Sequence, residues 1–576
     1  MEADQTSIFH QYASRPWASS YDEGVPLDVE VPEKPLYSIL EDSARGFPSR
    51  TSIYFYGYKM SYEELYRASM RFAGYLKDRG YGRGDVVALF LPNSPQFAVA
   101  YYGSLMAGAT VSPMNVLYSP HEIRRQLEDS GARLLVAIDL FKDKVLAGLP
   151  GGVEEVLWTG IQDYLPPVKA VLYKLKNRPP SPPRGGKHGM LREVLKSSKE
   201  YSGDPGINPR SDIAALMYTG GTTGTPKGAE LTHYNLLANV IQIDAWFKRG
   251  VRGEDVFVGA LPWFHIYGQT AVLNSGIHKA ATILTYARWD IETVMKDIEK
   301  HRATVFHGVP LMYIAILNHP KRDRYNLKSL EVCISGAAPL PKAVAEEFEK
   351  VTGAKLREGY GLTETSPVTH VNPILGKARP GSIGLPVPST LAAVADPDEP
   401  RLLPAGKTGE LVISGPQVMK GYHNRPEENE SVFFECCSRT WLRTGDMAYM
   451  DPEGYFYIVD RKKDIIKYKG YSVFPRDVEE VLYKHPCVRE AAVIGVPHPE
   501  YYEVPKAFIV LKPECRGKVS EEDIIKYTRE HLAPYKIPRI VEFREDLPKT
   551  AVGKILRRVL KEEELRKRGE SGPGPA

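Results

Sequence analysis

The residues of this chain best suited to chemistry lie between Tyr218 and His233, in YTGGTTGTPKGAELTH, directly after the apolar run AALMY. Glycines let backbone N–H groups approach an anion closely, threonine hydroxyls add donors, and a lysine adds a positive charge on a flexible stem. Thr219, Gly220, Gly221, Thr222, Thr223, Gly224 and Lys227 together therefore describe a polyphosphate cradle. It is not a Walker A loop, because Pro226 stands before Lys227 and Gly228 follows it where Ser or Thr would be required. Nor does a convincing G-x-G-x-x-G follow a strand, so a dinucleotide fold has little support. A Gly/Thr-rich turn is otherwise a plain loop, and its neighbours decide between the two.

Those neighbours are spread along the chain. EGYGLTET (358–365) sets the Thr363 hydroxyl beside the Glu364 carboxylate. That pair suits magnesium near phosphate, since the ion keeps oxygen ligands and water; read in isolation, Glu364 is a solvated loop acid. Gly336, Ala337 and Ala338 in ISGAAPL form a small apolar turn, either a flat binding face or only the end of a strand. His265 in LPWFHIYG, alone among aromatics, reads as a satisfied core histidine, and Lys554 in PKTAVGKILRR, alone, reads as solvated surface.

The elements that must position these groups alternate short β-rich runs with helical periodicity, the signature of an α/β fold with largely parallel strands. DVVALF (85–90) and ARLLVAI (132–138) predict strands, and SPHEIRRQLEDSG (119–131) predicts a helix with Ser119 as N-cap, Pro120 in the first turn, Glu122 closing a capping box and Gly131 as the stop. WDIETVMKDIEKHRATVFHGVP (289–310) predicts a helix feeding an apolar strand. After Asp460 a small α+β region begins, with helices over DVEEVLYKH and EEDIIKYTREHL and strands over EAAVIGV, KAFIVLK and RIVEF. The expected division is 1–460, 461–562 and a disordered tail over 563–576.

Composition narrows the partners. The chain has 576 residues, 43% hydrophobic and 25% charged, with 75 Lys+Arg against 71 Asp+Glu for a net +4. This is a globular balance that argues against nucleic acid, whose phosphates demand a concentrated basic surface. Five cysteines show no metal-ligand spacing, so structural zinc is not expected and reduced thiols in a cytoplasmic protein are the default. Val86–Pro120 carries no charged residue, yet its turn cluster Pro92-Asn93-Ser94-Pro95 divides it into pieces too short to cross a bilayer, so it reads as a buried strand, helix and strand. Residues 165–178 place Val168, Val171, Leu172 and Leu175 on one helical face with lysines elsewhere. That helix either packs on its own domain or lies on an anionic membrane surface. The Pro-, Gly- and Arg-rich 178–189 reads as an exposed loop.

Seven motifs, in order, resemble the adenylate-forming superfamily of acyl-CoA synthetases, aryl-CoA ligases, luciferases and adenylation domains: YTGGTTGTPKGAELTH, LPWFHIYG, ISGAAPL, EGYGLTET, TGD (444–446), DRKKDIIKYKGY (460–471) and PKTAVGKILRR (548–558). The resemblance implies a large amino-terminal adenylation domain, made of two layered αβ subdomains and a β subdomain, with a small mobile carboxy-terminal domain. It implies ATP, Mg²⁺ and coenzyme A. Thr219 to Gly224 and Lys227 would hold the β and γ phosphates. Tyr360, with Gly361 beside it, would stack on adenine opposite Gly336, Ala337 and Ala338. Thr363 would reach the α-phosphate, Glu364 would bind the metal, and Asp446, joined by Arg461, would take the ribose. Lys554 would bridge the substrate carboxylate and the α-phosphate. A rotation about Lys463 would then bring Lys467 and Gly470 to the site for the thiol step, with His265 as an aromatic gate.

Ile266, Tyr267 and Gly268 follow His265 where amino-acid-activating members carry an Asp, which disfavours an ammonium-bearing substrate. The amino-terminal WASSYDEGVPLDVEVPEKPLYSILEDSARGFPSRTSIYF and the insert DYLPPVKAVLYKLK are similar to long-chain fatty acyl-CoA ligases. The expected function is activation of a medium to long-chain fatty acid and its transfer to CoA. An aryl-acid ligase of the same fold and a membrane-surface fatty-acid trap without turnover are the alternatives. A homodimer and peripheral membrane contact are left open.

Overall fold

The computed structural model describes residues 2–219, 226–247, 251–469, 471–550 and 553–567. Two large sheets form the first layers. In one, strands Thr110–Pro113, Val86–Phe90, Ala132–Ile138 and Glu155–Thr159 run parallel side by side, and Ile213–Thr219 extends the sheet next to Thr110–Pro113. In the other, Val256–Gly259, Val305–Gly308, Val332–Ser335 and Lys355–Gly361 are the parallel centre. Parallel strands buried on both faces read as continuous apolar runs, which is how VVALF and LLVAI read. The helix Pro95–Ala107 is buried along its whole length, which explains a stretch without charge. No helix among the described residues is long and apolar enough to cross a membrane.

The local signals act as expected. Ser119 Oγ accepts from Glu122 N while the Glu122 carboxylate accepts from Ser119 N, and the helix Pro120–Ser130 ends on Gly131 at φ 63°. Ile291–His301 is a helix, begun by the Asp290 side chain and followed by the strand Val305–Gly308. A third, antiparallel sheet of Leu391–Ala395, Gly409–Ser414, Phe433–Cys436, Arg439–Met450 and Phe456–Arg461 completes the amino-terminal architecture. Beyond it, Ile466–Tyr468, Tyr471–Val473, Val488–His498, Tyr502–Leu511 and Ile540–Phe543 form another five-stranded sheet with its own apolar core, covered by helices Pro475–Lys484, Glu521–His531 and Arg557–Lys567.

Three expectations are corrected. Cys487 and Cys515 are bonded as a disulfide rather than reduced. Antiparallel pairing of Val488–His498 with Tyr502–Leu511 sets the flanking cysteines side by side, a proximity that linear spacing does not reveal. Residues 563–567 are not tail: the helix Arg557–Lys567 continues through them because Glu564 is buried in ion pairs with Lys506 at 2.8 Å and Lys567 at 2.9 Å. Residues 568–576 lie outside the described residues. The loop after Asn177 ends earlier than expected, since His188–Met190 adds an edge strand beside Val156–Trp158.

Candidate active site

The strands on either side of the Gly/Thr-rich segment form a hairpin. Ile213–Thr219 pairs antiparallel with Lys227–Thr232, and Thr219 faces Lys227 across the mouth of the turn. Gly220, Gly221, Thr222, Thr223 and Gly224 lie outside the described residues. Lys227 Nζ is 3.3 Å from Glu428 Oε1 and lies 5.3 Å from the centre of the Tyr422 ring. The Tyr422 hydroxyl donates to Glu364 Oε1 at 2.5 Å, so one ring links the cradle lysine to the acid of EGYGLTET.

EGYGLTET itself leaves the strand Lys355–Gly361 and reverses sharply. A Cβ on Gly361 would stand 2.0 Å from the Pro367 carbonyl oxygen, so only glycine fits the start of the reversal. Thr363 and Glu364 then sit on a single 3₁₀ turn, Thr363–Thr365. The Tyr360 hydroxyl donates to Asp446 Oδ2 at 2.6 Å, and Arg461 Nε lies 3.4 Å from Asp446 Oδ1. Asp446 and Arg461 are cross-strand partners, which places this carboxylate at the end of the β unit where the chain leaves it.

The turn Gly336-Ala337-Ala338 follows the strand Val332–Ser335. A Cβ on Gly336 would come within 2.9 Å of Cε1 of Tyr267, whose hydroxyl donates to Ile334 O at 3.0 Å. Ala337 holds a left-handed φ of 66°. From the other side the buried Glu358 accepts from Leu340 N at 3.1 Å, and its burial pushes its carboxyl up to about 7. Two side chains thus brace a loop that has no bulk of its own. His265 Nδ1 accepts from Tyr267 N at 3.3 Å, which leaves Nε2 to carry the proton. Burial, and then the charge of Lys554, push this imidazole down to about 4, so it is neutral at physiological pH.

Lys554 arrives from the carboxy-terminal unit, on the loop between the strand Ile540–Phe543 and the helix Arg557–Lys567. Its loop turns at Gly553, φ 76°, whose Cβ position is 2.9 Å from Cδ1 of Leu311 on the helix Pro310–Leu317, so the loop rests directly on the large unit. Burial first, then the Arg461 charge, lower Lys554 to about 8, with Asp446 opposing them. Lys463 is lowered by burial and then by Lys227. Lys227, the connection carrying Arg461 and Lys463, and Lys554 thus come from three segments to lie near enough for their charges to act on one another. Such a concentration of cations is stable only beside acids or a bound polyanion. Arg557 secures the arrangement: it bonds Glu479, Asp460 at 3.2 Å and Asp464 at 3.1 Å, tying the last helix to the connection between the units.

Lys467 is not brought to the site. It is exposed on the strand Ile466–Tyr468, its backbone N–H donating to Glu503 Oε2 at 2.8 Å. Gly470 lies outside the described residues. Sequence reading missed Tyr422, Glu358, Arg557 and His307. His307 is buried among Phe247, Phe257 and Tyr267 with neither ring nitrogen bonded among the described residues, and burial holds it at about 3. An acid inside the strand run KLREGYG was the one available signal for Glu358; Tyr422, distant in sequence from Glu364, offered none.

A hairpin bearing Lys227, a Tyr360–Asp446–Arg461 cluster and a lysine brought by a second unit make up the candidate site. The family model described as AMP-binding enzyme matches residues 40–423, and that described as AMP-binding enzyme C-terminal domain matches 477–554. The chain belongs to the AMP-binding enzyme family. It is 44% identical over 557 residues to a long-chain-fatty-acid–CoA ligase of Bacillus subtilis, covering 96% of this chain and 98% of that one. It is 34% identical over 565 residues to 4-coumarate–CoA ligase-like 9 of Oryza sativa subsp. japonica, covering 94% of each. Among solved structures it superposes on ATP-bound MatB from Rhodopseudomonas palustris with a TM-score of 0.80 and 30% identity, over 92% of this chain and 98% of that one. On apo MatB, with the same identity and coverage, the TM-score is 0.70.

Proposed function

We propose that this protein activates a medium to long-chain fatty acid with ATP and transfers the acyl group to coenzyme A. One observation carries the reading: Lys554, delivered by the carboxy-terminal unit, lies near enough to Asp446, Arg461 and His265 for their charges to act on one another, as do those of Lys463 and Lys227. In the first step a substrate carboxylate oxygen attacks the α-phosphorus of ATP and pyrophosphate leaves with the electrons of the broken P–O bond. Two anions must meet, so fixed positive charge at the transferring phosphorus lowers the barrier. Lys227 and the 219–224 turn hold the β and γ phosphates, Thr363 meets the α-phosphate, and Lys554 spans carboxylate and phosphate. Tyr360 and the Gly336-Ala337-Ala338 face enclose adenine, and Asp446 with Arg461 takes the ribose hydroxyls.

Glu364, oriented by Tyr422, is a single carboxylate, and no group of three or more His, Cys, Asp or Glu side chains able to hold a metal occurs among the described residues. That suits Mg²⁺, which takes few protein ligands beside phosphate and water and would neutralise phosphate charge there. In the second step the CoA sulfur attacks the acyl carbonyl and AMP leaves. Lys467, Lys469 and Gly470 reach the site in this reading after the 461–562 unit rotates against 1–460 about Lys463. Neutral His265 stands as the gate between acyl pocket and thiol path. The better superposition on the ATP-bound form supports an adenylating arrangement here.

The near-full-length likeness to a long-chain-fatty-acid–CoA ligase favours alkyl acids over aryl ones. ATP–pyrophosphate exchange across octanoate, palmitate, benzoate and cinnamate tests this. Exchange with the fatty acids is expected. Exchange confined to the aromatic acids would establish the aryl alternative, and no exchange with any would leave a fatty-acid trap.

A further inference from the structure

The helix Pro167–Asn177 has no buried residue, and its four large apolar side chains point outward: Val168 is 72% exposed, Val171 58%, Leu172 59% and Leu175 70%. This is not a helix awaiting its own domain. Lys169 Nζ donates to Tyr56 O at 2.8 Å and Tyr173 packs on the core, so the inner side is already docked. At 100° per residue the apolar four share one face, and Lys174 and Lys176 fall roughly 90–110° to either side of its centre, with Tyr173 opposite.

The charge around it is one-sided. From Tyr164 through Arg192 there is no Asp or Glu, and there are seven cations: Lys169, Lys174, Lys176, Arg178, Arg184, Lys187 and Arg192. The whole chain is only +4, so everything outside this segment is net −3. The acids beside it are these: Arg184 pairs with Glu193 at 3.1 Å, Lys174 acts on the carboxyl of Asp139, and Lys169 on that of Asp297.

We propose that this helix seats the protein on an anionic lipid bilayer, lying in the plane of the interface with Val168, Val171, Leu172 and Leu175 in the acyl boundary and the flanking lysines among the headgroups. An apolar stripe flanked by lysines, on a helix too short to span, has the form of an interfacial anchor. A second copy of the chain is a poor occupant, because a two-fold contact would set the seven cations of one copy against those of the other. Docking is independent of the ligase reading. If both hold, the enzyme draws its acid from the membrane in which such acids partition.

Co-sedimentation with vesicles of phosphatidylcholine alone and of phosphatidylcholine mixed with phosphatidylglycerol, without ATP or fatty acid, tests the proposal. Binding is expected to the mixed vesicles, weakening with salt. The variant Val171→Ser/Leu172→Ser/Leu175→Ser should bind at least tenfold more weakly, and Lys174→Gln/Lys176→Gln should lose most of the salt dependence, both with unchanged ATP–pyrophosphate exchange on octanoate. Leu172→Trp should show a blue shift in emission on the mixed vesicles. Absence of binding by the native chain, undiminished binding by the serine variant, or a native dimer that the serine variant converts to monomer would overturn it.

Discussion

Replacing Lys554 by Ala separates chemistry from folding in a way the structure makes quantitative. Its ammonium is displaced from 10.5 to about 8 by burial and by Arg461, which corresponds to roughly 3 kcal/mol of strain on the protonated form in the empty site. Because the folded state favours the neutral amine, that destabilisation is full below about pH 8 and fades as the pH rises from 8 toward 10.5. Lys554→Ala removes it, so the thermal midpoint at pH 7 should hold or rise. Catalysis should move the other way: losing one positioned donor at a transferring group costs about 10²–10³ in rate. ATP–pyrophosphate exchange should fall by that factor, while thiolysis of supplied acyl-adenylate by CoA stays within a few fold. In the native enzyme, kcat/KM for adenylation should decline as pH rises through about 8, with no matching limb near neutrality from His265, which is neutral above about 4. Equal loss of both half-reactions, or a lowered thermal midpoint, would refute the placement of Lys554.

Asp446→Asn leaves Arg461 without its carboxylate and weakens the Tyr360 bond, so KM for ATP should rise roughly 10- to 100-fold on the usual cost of a lost charged hydrogen bond, read by initial rates against ATP. Gly336→Ala must displace the Tyr267 ring, at about 1–3 kcal/mol by urea unfolding, with a rise in KM for ATP and acid together. Reducing the Cys487–Cys515 bond frees a loop of 28 residues, and on the chain-entropy account should cost the carboxy-terminal unit roughly 3–4 kcal/mol, read as dithiothreitol-dependent proteolysis after residue 461.

Much of this molecule is readable locally because local physics is decisive there. Ser119, Pro120, Glu122 and Gly131 delimit a helix by satisfying its end groups, the apolar LLVAI lies in the strand Ala132–Ile138, and AALMY lies in the strand Ile213–Thr219 that leads to the Gly/Thr-rich segment. Residue type and near spacing carry those conclusions, since the interacting atoms lie within a few positions of one another. What no spacing contains is the meeting of distant segments. Tyr422 on Glu364, Glu358 under the Leu340 amide, Arg557 across Asp460 and Asp464, the Cys487–Cys515 bond and the burial of Glu564 all join positions that only the tertiary fold brings together. The same holds for the helix at 167–177. Its apolar stripe is plain in the sequence, but whether that stripe faces the core or solvent depended on which side Lys169 and Tyr173 had already taken.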